Sequence, residues 1–131
     1  MRGGGMTDTA NRGRRAATRA LAALGVASGV ALLTRPEQIV DRLCPEFPPS
    51  RRWIARVLGA RLVVQHTAVL LTPTAAVLRA ASAVDLLHAA SMVPLVGSAR
   101  YGRAARISGG LAAAYAAGAL AVAPARSSER G

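Results

Sequence analysis

Asp85 and His88 lie three residues apart in "AVDLLHAAS", inside an apolar run that opens after Pro73 and closes at Gly97. A carboxylate and an imidazole one helical turn apart are groups that move protons, bind cations or hold a cationic partner. Arg61 stands 12 residues before Pro73 and Asp85 stands 12 residues after it. With Pro73 turning the chain between two antiparallel helices, both residues sit about 18 Å from the turn, at one depth. An Arg61–Asp85 ion pair is therefore expected. A charge in apolar surroundings takes a partner, and a hydrogen-bonded pair is better tolerated there than either ion alone.

Two stripes extend this pair. Before Pro73, Arg61, Gln65, Ala68 and Thr72 are spaced four, three and four apart and share a helix face. After it, Arg79, Ser82, Asp85, His88 and Ser91 recur every third residue, a line that winds by about 60° per step. The expected intramembrane polar cluster is Arg61, Asp85, His88, Gln65, Ser82 and Arg79, with His88 in reach of Asp85. Its first reading is structural, as glue between helices; proton relay and ion or metal binding are the alternatives. No metal ligand set converges, because His66 is turned about 100° from Gln65 and Cys44 lies in the Pro-rich "CPEFPPS". Cys44 is the single cysteine, so no intrachain disulfide forms. Between Arg42 and Glu46 it reads as an incidental loop thiol. No nucleophile elbow, P-loop or HExxH pattern occurs, so neither catalysis nor a cofactor is expected.

The elements that position these residues are four apolar runs. "ALAALGVASGVALLT" (20–34) follows an Arg-rich flank, as in a signal peptide, but no small-x-small cleavage site closes it, and a retained helix is expected. "IARVLGARLVVQHTAVLL" (54–71) and "AAVLRAASAVDLLHAASMVPLV" (75–96) are separated by "TPT" alone, a tight antiparallel hairpin. Pro94 is placed to kink the third run. "ISGGLAAAYAAGALAVA" (107–123) is the fourth. Between the first two, a loop with four prolines holds "PEQIVDRL", a short amphipathic helix with Pro36 at its first position and Ile39, Val40 and Leu43 on one face. Trp53 falls where this loop meets the second run, a favoured interfacial place for indole. Small residues mark packing faces that let helices approach closely in lipid: Gly25 and Gly29 in the first helix, and Gly110, Ala114 and Gly118 in the fourth.

Composition agrees. Of 131 residues 52% are hydrophobic but only 3% aromatic, so Ala, Leu and Val supply the apolar content. The net charge is +11 and all 17 basic residues are Arg. Such a balance points to nucleic acid or to anionic lipid. Most of the Arg flank the apolar runs rather than interrupt them, which is the membrane pattern.

The stretch "VLGARLVVQ…LTPTAAVLRAASAVDLLHAASM" resembles small bacterial four-helix membrane proteins of the DoxX-like family. In those, a Gly-x-Arg near the start of the second helix precedes a third helix with an internal Asp; Gly59-Ala60-Arg61 and Asp85 occupy those places here. The resemblance covers about residues 20–120. It implies the four-helix topology, and for some relatives a link to membrane redox or quinone-associated complexes. This chain shows no redox ligand set to match that link.

The expected fold is all-α, a four-helix transmembrane bundle with helices near 20–34, 54–71, 75–96 and 107–122. A disordered basic tail (1–19) precedes the bundle (20–122) and a second disordered tail (123–131) follows it. Met6 is an alternative start. The expected function is that of a multi-pass cell-membrane protein of structural or accessory type, with both termini on one side. Its expected partners are the lipid bilayer and a membrane protein complex or further copies of the chain, not nucleic acid. The alternatives are a proton-linked or small-solute transporter using Arg61, Asp85 and His88, and a soluble basic helical protein bound to nucleic acid.

Overall fold

The computed structural model describes residues 4–122. They form five α-helices and no strand. The helices are α1 (Gly4–Thr34), α2 (Pro36–Leu43), α3 (Trp53–Leu71), α4 (Ala75–Met92) and α5 (Gly102–Val122). Short 3-10 turns, Pro49–Arg51 and Val93–Leu95, precede α3 and follow α4.

Most boundaries follow local chemistry. Pro36 ends α1, because the residue before a proline is pushed off the helical conformation; Arg35 has φ −134° and ψ 51°. The same Pro36 begins α2, where Glu37 in the first turn and Arg42 in the last complement the helix dipole. Pro73 ends α3, and Thr74 caps α4 by accepting a hydrogen bond from the Val77 N–H at 3.2 Å. Pro94 tightens the end of α4 into the 3-10 turn rather than kinking a helix that runs to residue 96.

The start of α1 corrects the sequence reading. Residues 4–19, expected as part of a disordered tail, are helical, although every side chain from Gly4 to Ala16 is exposed. The physical reason is propagation. Once residues 18–29 are packed, each further turn costs little, and Thr9 and Thr18 hydroxyls donate to the carbonyls of Gly5 and Arg14 at 2.8 and 2.9 Å. The fourth helix likewise begins at Gly102 rather than 107. The tail expected at 123–131 lies outside the described residues, as do residues 1–3.

The four long helices run alternately up and down, as two closely packed pairs. In the first pair, α1 against α3, a Cβ added to Gly29 would stand 2.7 Å from the Gly59 carbonyl oxygen, so the backbones nearly touch. In the second, α4 against α5, a Cβ on Gly109 would stand 3.2 Å from the Met92 Cβ. The hairpin partners α3 and α4 are antiparallel but pack much less extensively than either pair. Small residues draw α1 to α3 and α4 to α5, whereas long polar side chains span from α3 to α4. The start of α1, the Thr72–Thr74 turn and the end of α5 consequently lie at one end of the molecule, and α2 at the other.

Three helices are long and apolar enough to cross a membrane: α1, α3 with its preceding turn, and α4. Helix α5, 21 residues rich in Ala and Gly, is not among them over the described residues. Apolar clusters and buried polar groups share the interior. Asp85 and Ser82 are the largest fully buried side chains, while Leu24, Val57, Val64, Leu86, Leu87 and Leu111 are exposed.

Candidate functional site: a polar centre between two helix pairs

Asp85 is 1% exposed and lies where α4 faces α3. Arg61 and Gln65, one turn apart on α3, both reach it. The Arg61 Nη2 donates to Asp85 Oδ1 at 3.4 Å, and the Gln65 Nε2 donates to Oδ2 at 2.9 Å. Gln65 also donates to the Ala81 carbonyl at 3.4 Å. Each carboxylate oxygen thus has one donor. The Gln65 contact is the tighter of the two, since an ideal charged N–H···O⁻ bond is about 2.7–2.9 Å. The Arg61 contact is a long, single-point ion pair. Long side chains make these contacts because α3 and α4 stand apart here; two short ones would not meet.

One turn before Asp85 on α4, Ser82 ties the second pair together. Its hydroxyl donates to the Ala116 carbonyl of α5 at 3.5 Å. The centre therefore reads, across the molecule, as Arg61 and Gln65 on α3, Asp85 and Ser82 on α4, and the α5 backbone.

Of the expected cluster, Arg79 lies elsewhere and His88 stands at the edge, near Arg61 and Asp85. Arg79 is exposed, because steps of three wind it off the buried face. His88 is half-buried but makes no hydrogen bond to Asp85; its carbonyl accepts from the Ser91 hydroxyl at 2.7 Å. On α3, Ala68 and Thr72 are exposed, so the stripe through Arg61 and Gln65 leaves the interior before the turn. The small-residue strip on α5 is corrected too. Gly110 has nothing within 4 Å of an added Cβ and Ala114 is exposed; only Gly118 meets a neighbour, Leu21 of α1. The buried face of α5 instead carries Ala105, Gly109, Ala112 and Ala116, a different side of the helix from the expected strip. Gly25 and Gly29 do face α3.

His66 is the residue that helix-face reasoning passed over. It is buried, its ring 4.8 Å from that of Tyr115 on α5, and it fills the space beside Gly25. The signal was present in the sequence, since a glycine facing an imidazole leaves room for it, but only the pairing of α1 with α3 reveals which glycine. His66, Tyr115, Thr18 and Asp85 line a cavity of about 20 Å³ on the turn side of the centre, the volume of roughly one water molecule.

On the α2 side the helix pairs diverge around a much larger cavity of about 730 Å³. Arg61 and His88 stand at its inner end, and α2 lies across the other, with Ile39, Val40 and Leu43 all on the lining. Beneath α2, Cys44 packs with Val40, Phe47 and Ala55, so it is a loop thiol that is buried. Burial pushes its pKa up, Glu46 raises it further, and Arg103 opposes both. Around that end Arg52 pairs with Asp41, and Arg103 lies 4.0 Å from Glu46. Among the described residues no group of three His, Cys, Asp or Glu side chains stands close enough to hold a metal ion.

Comparison with known proteins yields no match to a family model, a curated protein or a solved structure.

Proposed function

We propose that this chain is a small multi-pass membrane protein of structural or accessory type, whose four long helices form a transmembrane bundle without catalysis of its own. One observation carries the reading: an aspartate and a serine are fully buried, while many leucines and valines lie on the outside. Water imposes the opposite arrangement. In lipid, an ionisable residue turns inward and takes a partner while apolar side chains face the acyl chains. Arg61 and Gln65 then serve as the polar fastening between the α1–α3 and α4–α5 pairs. Helix α5 crosses with the support of α4, since Ala alone contributes little to insertion.

The Arg distribution fits the same picture. Arg12, Arg14, Arg15 and Arg19 stand at one end of the molecule, and Arg51, Arg52, Arg56, Arg100, Arg103 and Arg106 toward the other. They collect at the ends of the helices instead of forming one stripe for nucleic acid. The likeness of Gly59-Ala60-Arg61 and Asp85 to DoxX-like proteins belongs to this proposal and supports its topology. The structural role is favoured because both Asp85 carboxylate oxygens accept from α3 donors, Arg61 and Gln65, which joins the two helix pairs.

Fractionation tests the membrane reading. The full chain is expected to stay with membranes through high-salt and alkaline carbonate washes; release by salt alone would overturn it. Flux tests the role of the pair. Asp85→Asn is expected to lower abundance, with Arg61→Gln in the same chain restoring it. Normal abundance with loss of a pH-dependent flux would favour transport instead.

A further inference from the structure

The α2 end of the molecule carries two marks of a membrane–water boundary. Trp53 opens α3 there and is exposed. Helix α2 turns Ile39, Val40 and Leu43 to the large cavity, while Glu37, Asp41 and Arg42 are exposed. Indole and amphipathic helices both lodge at headgroup level. The cavity of about 730 Å³ runs inward from this end to Arg61 and His88.

Its length matches one leaflet. Lining residues run from Ile54 to Leu62 on α3 and from Ala104 to Tyr115 on α5, roughly 12–16 Å at the rise of an α-helix. Half the hydrocarbon core of a bilayer is about 15 Å. The walls are mostly aliphatic and include no acidic residue. Left empty, such walls forfeit their dispersion contacts, and in a bilayer acyl chains are the medium that restores them. The hairpin partners α3 and α4 both contribute to the wall and pack less than either helix pair, so a chain can enter between them.

At the outer end stands Arg51, in the turn just before α3. It is exposed, it lies on the cavity lining, and its guanidinium makes no ion pair or hydrogen bond among the described residues. Arg61, the other arginine of the lining, is held by Asp85. Two of the carboxylates near Arg51 are engaged as well: Asp41 pairs with Arg52, and Glu46 lies 4.0 Å from Arg103. A free guanidinium at headgroup level matches a phosphate, to which it can donate two parallel hydrogen bonds. Arg100 and Arg106 add to the positive potential of this end, which favours a net anionic headgroup over a zwitterionic one.

We propose that the cavity seats the acyl portion of one anionic phospholipid from the α2-side leaflet, with Arg51 on its phosphate. The site rests on the membrane reading and goes beyond the fastening role, because it makes one lipid a fixed part of the bundle.

The test is lipid retention. The full chain is reconstituted in vesicles of equal phosphatidylglycerol and phosphatidylcholine with identical acyl chains, extracted in mild detergent, and its co-purifying lipid is counted by native mass spectrometry. About one phosphatidylglycerol per chain is expected, favoured about fivefold over phosphatidylcholine, the preference that one arginine near the surface supplies. Arg51→Gln is expected to bring the two lipids close to parity, whereas Arg100→Gln, at the same end but off the lining, keeps the wild-type ratio. Ser108→Phe fills part of the cavity and is expected to lose most of the retained lipid of either class. No lipid retained by a chain that survives the carbonate wash, parity in the wild type, or an unchanged ratio in Arg51→Gln overturns the proposal. So does an equal loss of preference in Arg100→Gln, or wild-type retention by folded Ser108→Phe. Should Ser108→Phe fail to fold, Ala104→Leu on the same wall decides in its place. Release of the chain by salt alone instead refutes the membrane reading.

Discussion

Gly25 of α1 faces His66 of α3, and the imidazole occupies the space in which a side chain at position 25 would begin. The first prediction follows from that fit. Gly25→Ala forces the ring toward Tyr115 and is expected to destabilise the folded chain by about 1–3 kcal/mol, the usual range for overpacking. Shortening the partner makes room. Gly25→Ala in a His66→Ala background is expected to cost much less than in the wild type, measured by thermal unfolding in detergent. Equal cost in both backgrounds would show that the ring does not limit position 25.

The polar centre makes a second prediction. Arg61→Gln leaves Asp85 buried with Gln65 as its remaining side-chain donor among the described residues, and removing one member of a buried pair costs about 3–5 kcal/mol. The double variant Arg61→Gln with Asp85→Asn removes both charges and is expected to recover most of that loss. A denaturation series on the four proteins of this cycle measures the coupling directly. Additive losses would mean that the 3.4 Å contact carries no coupling.

Gln65→Ala is the third. It removes the shortest bond to Asp85 and the link to the Ala81 carbonyl. The loss expected for a buried acceptor left without its donor is about 1–3 kcal/mol. The same denaturation assay reads it, and a loss below 0.5 kcal/mol, on the order of an exposed substitution, would contradict the arrangement.

Two glycines give a contrast that needs no assumption about charge. Gly110 has open space where a Cβ would go, so Gly110→Ala is expected to be neutral or to stabilise α5 by up to about 1 kcal/mol through helix propensity. Gly29 lies against the Gly59 backbone, so Gly29→Ala is expected to cost about 1–3 kcal/mol. The ranking of the two melting temperatures checks the α1–α3 interface against the α5 surface.

Cys44 supplies a pH prediction. Its raised pKa keeps the thiol protonated where a free thiol has begun to ionise. Alkylation by iodoacetamide at pH 8 is expected to be slow in the folded chain and fast after denaturation. The folded state holds its proton more tightly than the unfolded one, so this group's contribution is intact at neutral pH and falls as pH rises through the alkaline range. A rate at pH 8 equal to that of the denatured chain would contradict the buried position.

Much of the architecture was legible before any coordinates. Pro36 and Pro73 end helices through backbone sterics that act within a few residues, and α2 appears over Pro36–Leu43 as its apolar face and its proline indicate. Arg61 and Asp85 were placed at one depth by counting from Pro73, and they meet because helix rise is constant and the turn between them is short. The start of α1 was not legible in this way. Residues 4–16 have no buried face to leave a periodic mark, so their helix is an extension of a segment stabilised elsewhere.

By itself, then, the sequence determined the all-α class, the position of the turns, and which polar residues had to be reconciled with apolar surroundings. These are consequences of local sterics, helix geometry and the cost of an unpartnered charge, all of which act along a single chain segment. The tertiary structure decided which helices pair. It set α1 on α3 and α4 on α5, put Gly109 rather than Gly110 at the α5 interface, brought His66 inside and left Arg79 out. It also opened the cavity where the two pairs part. Those outcomes depend on which small residues of distant segments come face to face, and a one-residue change around an α-helix, about 100°, moves a side chain from interior to surface.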